Sequence, residues 1–517
     1  MTDNHFRKPR PANGESAHGR PDRKPGSTGG SEHRPQARTS DRASEHRPQA
    51  RTPDRTNERR PQARPPDRTN SVHRTSPRDI ALYALEDVMV GSAYTSQALD
   101  RHLKGCLLSE EDRRLCAAIF YTCIENRLRF DYILDGLMEK RPERMIWDIL
   151  HIALAQMLCM DRIPDHAVVN EAVEQTRRMR RKEFAPLVNA VLRALIRKRD
   201  EGTELLPDRN ADPEKYLSVR YSFSPFTVSA LIAAYGIEEA EKMMAYSPAR
   251  HTTVRFNTMK YDEASFERYL DGCGIEWRKG KIKGTYHLRG MVSIAEDEGF
   301  ISGKYSVQGE SSLLAAMAVK PACGMQILDT CAAPGGKTCY IAEAMQGTGR
   351  IYAWDLYPVR ADLLRAAQRR LRLDNIRVSA RDARVFLPDF EGLLDAVLID
   401  APCSGLGVIS DKPDIRYKLT EKDLSDIISL QRGILDTCSS YVRRGGRLVY
   451  STCTVLPEEN CRQIEAFLAA HPEFVPDDDA SFLPEEYRPL FKNGQVQFLP
   501  QRDGIDGFFI ACLRRKG

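Results

Sequence analysis

Across residues 77–205 apolar side chains recur at the three-and-four spacing of amphipathic helices. Ile80, Leu82, Leu85, Val88 and Met89 form one stripe, and Leu115, Ala118, Ile119 and Ile124 another. Further helices are predicted over 145–160, 168–179 and 184–196, so this stretch reads as an all-helical domain. The period then changes. Residues 213–305 mix a helix over 226–235, a strand over 253–257, a helix over 263–273 and short strands at 275–277 and 286–288, a small α+β module. Residues 306–517 alternate strands (327–329, 351–355, 376–379, 396–400, 447–451) with helices, the signature of a parallel, doubly wound sheet. Two last strands, 496–499 and 508–513, are separated by a turn-rich loop holding Gly504 and Gly507, and are expected to close the sheet antiparallel.

Residues 1–74 show neither period. They hold three near-copies of a 13-residue unit, starting at Glu32, Glu45 and Glu58. The unit lacks aliphatic and aromatic side chains beyond Ala, so stacked copies would bury nothing, and a disordered arm is expected. Residues 1–76 carry 17 Lys and Arg against 9 Asp and Glu, a net +8, which leaves −3 for residues 77–517. The folded part is near neutral, and any basic binding surface in it must be local. The run Arg177, Arg178, Arg180, Arg181 and Lys182, with Arg197, Lys198 and Arg199, is either such a surface for RNA phosphate or a solvated helix face.

At 517 residues the chain is too long for one core. Its 13 cysteines include no C-x-x-C pair and read as reduced thiols rather than a metal site or a disulfide framework. No stretch approaches the ~18 consecutive apolar residues of a membrane span, and a cytoplasmic location follows as the default.

Candidate chemistry begins at Gln326–Thr338, QILDTCAAPGGKT, a strand that ends at Asp329 and enters a glycine-rich loop followed by a helix. Gly335 and Gly336 permit positive φ and close approach of a ligand. In doubly wound folds the loop after the first strand holds a nucleotide-like cofactor. Asp355 ends the next strand 26 positions after Asp329, near the ~20-residue offset of a ribose-binding acid. A phosphate-binding P-loop needs glycine at 331, where this chain has Cys331, yet Gly336, Lys337 and Thr338 match the end of that motif, so an ATPase remains an alternative. A non-catalytic RNA-binding or transcription factor is a second alternative, suggested by the helical domain and the basic arm.

Two other strand ends carry cysteines. Residues 397–400 run into APCSGLG, with Cys403, and residues 448–450 run into STCTVLPEEN, with Cys453. Strand carboxyl ends share one face of an open α/β sheet, so Cys403, Cys453 and the loop 331–337 should converge on one crevice. One buried cysteine is more often an inert hydrophobe; two at equivalent positions favour catalysis.

DTCAAPGGKT, DAPCSGLG and STCTVLPEEN together resemble three motifs of the RNA 5-methylcytosine methyltransferases, in particular the RsmB (Sun) branch, over residues 77–517. The resemblance implies a NusB-like, RNA-binding helical domain, an RNA-contacting α+β module and a Rossmann-like methyltransferase domain. It implies S-adenosylmethionine held by Cys331, Ala332, Ala333, Pro334, Gly335, Gly336 and Lys337, with Asp355 at the ribose, Asp382 near the adenine and Asp400 between cofactor and target base. Cys453 matches the nucleophile and Cys403 the cysteine associated with product release. No metal is implied. The partner is ribosomal RNA presenting an unpaired or flipped cytosine, and a monomer is expected. The arm at 1–74 has no counterpart in the family pattern.

Overall fold

The computed structural model describes residues 76–90, 95–290 and 294–517, so the expected arm lies outside the described residues. The helical domain comprises Pro77–Val90, Thr95–Leu103, Glu110–Glu125, Arg127–Asp135, Arg144–Cys159, Asp165–Arg178 and Ala185–Asp200 around one core that includes Ile80, Phe120, Ile149 and Leu192. Helices Thr95–Leu103 and Arg127–Asp135 were not legible as periodic stripes. Each is nine residues long, too short to persist alone, and each borrows its stability from that core.

Among the described residues, twelve strands follow in two sheets. The small sheet contains β1 (Thr252–Phe256), β2 (Glu276–Lys279), β3 (Thr285–Arg289) and β4 (Tyr305–Val307) in the order β2-β3-β1-β4, all antiparallel. Phe266 and Leu270 of helix Glu263–Gly272 pack on Val254, Trp277 and Tyr286 of this sheet. Within 213–305 two cores form. Helices Pro213–Tyr221, Pro225–Tyr235 and Ile237–Ala245 bury Leu217, Val228, Leu231 and Met244 against Leu406, Val455, Leu456 and Leu499 rather than against the small sheet.

The large sheet contains β5 (Gln326–Asp329), β6 (Arg350–Asp355), β7 (Ile376–Ala380), β8 (Leu394–Asp400), β9 (Val442–Thr452), β10 (Phe474–Pro476), β11 (Gln495–Phe498) and β12 (Phe508–Arg515). Its order is β10-β12-β9-β8-β5-β6-β7, with β11 also paired to β12. Strands β5 to β9 are parallel; β12 joins β9 antiparallel, as the sequence suggested, and β10, which was not anticipated, adds beyond it. The loop between β11 and β12 also contains a short helix, Pro500–Asp503. From β5 the chain winds out through β6 to β7, then returns to the other side of β5 at β8. The switch point is therefore the crevice at the carboxyl ends of β5 and β8, where such sheets bind ligands.

Candidate active site

Asp329 ends β5 fully buried. Thr338 Oγ1 donates to its Oδ2 at 2.6 Å, its Oδ1 has no hydrogen-bond partner among the described residues, and burial lifts its pKa to about 7. The loop beyond it is built for close approach. Gly335 has φ +114°, and a Cβ there would lie 2.4 Å from Leu364 Cδ1, so both backbone and space require glycine. Gly336 opens helix Gly336–Ala344, whose first N–H groups lack intrahelical acceptors.

The buried Asp355 carboxylate accepts the N–H groups of Ala333 (3.3 Å) and Tyr357 (3.2 Å) and lies 3.4 Å from Arg360, which also donates to the Ala333 carbonyl at 2.9 Å. A carboxylate offers about four lone-pair sites, so capacity for ribose hydroxyls remains. Asp382, in the loop after β7, accepts the Arg384 N–H (2.9 Å) and guanidinium (2.7 Å), which hold its pKa below the usual range. Cys331 is pushed up to about 12 by burial and stays a thiol.

Lys337 joins the two sides of the switch point by donating to Asp400 Oδ2 at 2.7 Å, while Ser451 Oγ donates to Asp400 Oδ1 at 2.9 Å. Burial works against the Lys337 ammonium, but Asp400 outweighs it and keeps the lysine charged. The sulfurs of Cys403 and Cys453 lie 3.2 Å apart, although 50 residues separate them in the chain. The pair is polarised. Cys453 falls below the ordinary thiol range, chiefly because Cys403 hydrogen-bonds to it; burial and Asp400 oppose this, and Lys412 and Lys337 assist it. Cys403 rises well above that range, first through the same hydrogen bond, then through burial and the charges of Cys453, Glu459 and Asp400. The main cause is thus the partner thiol.

Three neighbours were missed. Buried Glu459 accepts Ser404 N–H at 2.9 Å and the Ser404 hydroxyl, and Gln431 Nε2 bridges Glu459 (3.0 Å) and the Pro402 carbonyl (3.0 Å), clamping the turn on both sides of Cys403. Glu459 lies within STCTVLPEEN, but only folding reveals which of its carboxylates turns inward. Lys412 is the third, and no motif marked it.

Half of the basic residues noted on the helical domain are neutralised by ion pairs. Arg177 pairs with Glu174, Arg178 with Asp79 and Glu171, Arg181 with Glu143, and Arg199 with Asp165.

Comparison with known proteins completes the picture. Residues 75–197 match the NusB family, and residues 316–514 match the family described as 16S rRNA methyltransferase RsmB/F. A probable ribosomal RNA small subunit methyltransferase B of Bacillus subtilis (strain 168) is 38% identical over 450 residues, covering 86% of this chain and 100% of the relative. The chain belongs to the RsmB/F family of rRNA methyltransferases. A ribosomal RNA small subunit methyltransferase B of Pseudomonas putida is 32% identical over 448 residues, covering 85% of this chain and 98% of that one. The solved structure of PH0851 matches with a TM-score of 0.72 at 25% identity, covering 87% of this chain and 100% of that one.

As an RsmB/F methyltransferase the chain uses S-adenosylmethionine and acts on RNA, which displaces both the ATPase and the non-catalytic readings. The residues present suit that cofactor: an acid with spare acceptor capacity at Asp355, free N–H groups at a helix start, and a buried Asp329 oxygen without a hydrogen-bond partner among the described residues. All thirteen cysteines are free, no cluster suited to a metal occurs among the described residues, and no described helix is long and apolar enough to cross a membrane.

Proposed function

We propose that the chain methylates C5 of an unpaired or flipped cytosine in small-subunit ribosomal RNA, with Cys453 as the nucleophile and Cys403 assisting release. The observation that carries this reading is the polarised pair: two thiols in contact at the switch point, one held toward thiolate and the other toward thiol.

C5 of cytosine is too electron-poor to be methylated directly. Attack of the Cys453 thiolate on C6 forms a C–S bond and turns the ring into an enamine nucleophilic at C5. In this reading Asp400, protonated by sharing the Lys337 proton across their hydrogen bond, donates to a ring nitrogen as charge develops there. S-adenosylmethionine, when bound, supplies the electrophilic methyl group. The C5 proton must then leave before the C6–S bond can break. Once Cys453 is a thioether, its charge no longer holds Cys403 protonated. Cys403 can then release its proton to solvent water and, as the thiolate, accept the one from C5. Release returns the bonding pair to Cys453 sulfur. Glu459 and Gln431 keep the Cys403 turn in place throughout. Every group named lies in one chain, which suits a monomer, and an rRNA substrate suits the cytoplasm.

The test uses bisulfite sequencing of ribosomal RNA with gel analysis of the two cysteine variants. Cys453→Ala should leave the target unmethylated with no covalent complex. Cys403→Ala should trap methylated RNA on Cys453 as a denaturant-resistant band that needs both RNA and S-adenosylmethionine. A trapped complex in Cys453→Ala but not in Cys403→Ala would reverse the roles.

A further inference from the structure

The segment Pro358–Arg384 holds eight arginines and three aspartates, in a folded region whose overall balance is −3. Folding gathers half of these arginines on one surface. Helix Pro358–Leu371 begins beside Asp355 and descends along the open edge of the large sheet, where β7 pairs only with β6. Arg365, Gln368 and Arg369 are spaced three or four apart and so share one helix face, and Arg372 follows as the left-handed residue that ends the helix. Together with Arg377 on β7 they line an open groove of about 590 Å³, in which Asp374 is the sole acid.

These cations are available. The side chains of Arg369 and Arg372 are exposed and make no ion pair or hydrogen bond among the described residues, and Arg377 donates only to the Asp374 and Ile376 carbonyls at 3.0 and 3.3 Å. Only Arg365 meets a carboxylate, the exposed Asp362 at 2.7 Å, a contact that water screens. The contrast with the paired arginines of the helical domain is direct. The positive field continues past the groove: Lys260, beside Arg370 and Arg372, is depressed by burial and then by those two cations.

Charges along an edge strand also deter strand pairing between copies. That role accounts for Arg377, but Arg369 and Arg372 lie on the helix side of the groove, where no ladder group needs guarding. We propose that this groove binds the phosphate backbone of the ribosomal RNA substrate as a hold separate from the catalytic crevice. Arg372 lies 14 residues beyond the helix start, on the order of 20 Å along its axis, so the groove grips a part of the RNA away from the target base.

The experiment compares the full chain with Arg369→Gln/Arg372→Asn/Arg377→Gln, using transcribed small-subunit ribosomal RNA over a salt series. Asn is chosen at 372 because φ there is +59°. Each lost phosphate contact lowers the log–log salt slope by about 0.7–0.9, so a total fall of roughly 2–3 is expected, with KM for RNA raised and kcat unchanged. S-adenosylmethionine binding and thermal unfolding should match the parent. If the triple variant does not fold, Arg369→Gln alone should lower the slope by about 0.7–0.9. An unchanged slope in a folded variant overturns the proposal. So does an equal fall when three arginines of the run 177–181 are replaced instead, which would mean that only net charge matters. Unchanged binding to bare RNA with weakened binding to protein-containing small-subunit particles would assign the groove to a protein and also overturn it.

Discussion

The helical domain and the small sheet both contact the methyltransferase domain, but at segments that border different halves of its candidate site. The helical domain holds the segment that follows the Cys403 turn. Thr95 Oγ1 donates to Asp414 Oδ1 at 2.6 Å, Arg416 donates to the Glu125 carbonyl at 3.4 Å, and Arg127 lies over the Tyr417 ring. The small sheet instead holds the helix that follows the glycine-rich loop. Arg255 on β1 forms a buried ion pair with Glu343 of Gly336–Ala344 and donates to Gln308, whose side chain lies 3.6 Å from where a Gly336 Cβ would sit. Under the proposed function, one neighbour is therefore coupled to base chemistry and the other to cofactor geometry. RNA engaging either has a physical route to a different step.

The strongest way to break this division is at the buried pair. Arg255→Met leaves the Glu343 charge unpaired, which costs roughly 3–5 kcal/mol. Unfolding by denaturant should show that loss, together with weaker S-adenosylmethionine binding by calorimetry. Unchanged cofactor affinity would detach the small sheet from the site.

Gly335→Ala acts on the cofactor half alone. Strained backbone and the clash with Leu364 should cost about 1–3 kcal/mol, read as lower S-adenosylmethionine affinity, while RNA binding persists.

On the other half, Asp414→Ala removes the acceptor shared by Thr95 and Lys418 and should cost about 1–3 kcal/mol. Single-turnover assays should show slower methyl transfer or release with cofactor affinity intact. A change in cofactor affinity with no change in turnover would reverse the comparison.

The smallest effect concerns pH. In the mechanism proposed above the active form of Cys453 is the thiolate, and its pKa is lowered from the ordinary value of 9.0, so the rising limb of rate against pH should lie below pH 9. Lys412→Met removes a cation that favours the thiolate. Its limb should move to higher pH, by less than about one unit because Lys412 is exposed and screened, and the shift should shrink in high salt. A move to lower pH would contradict the assignment of charge.

Asp329, the loop 331–337 and Asp355 were legible in the chain because a strand, a glycine turn and a helix start are local matters, decided by residues within a few positions of one another. The cysteines were legible as strand-end residues, and the topology of a doubly wound sheet implied their convergence. Their contact, and the polarisation that distinguishes Cys453 from Cys403, arise only when segments 50 residues apart meet. The basic stretches went the other way. The run at 177–182 was conspicuous in the sequence, yet Asp79, 99 residues from Arg178, helps to neutralise it. The arginines of 365–377, dispersed in the sequence, became a groove once a helix face and a sheet edge met. The helical domain's hold on Asp414 bridges 319 residues. Propensity and periodicity sense only near neighbours, so they determined the elements and the cofactor loop. Charge pairing, burial and the division of labour between the two supporting domains depend on distances that only the tertiary fold sets.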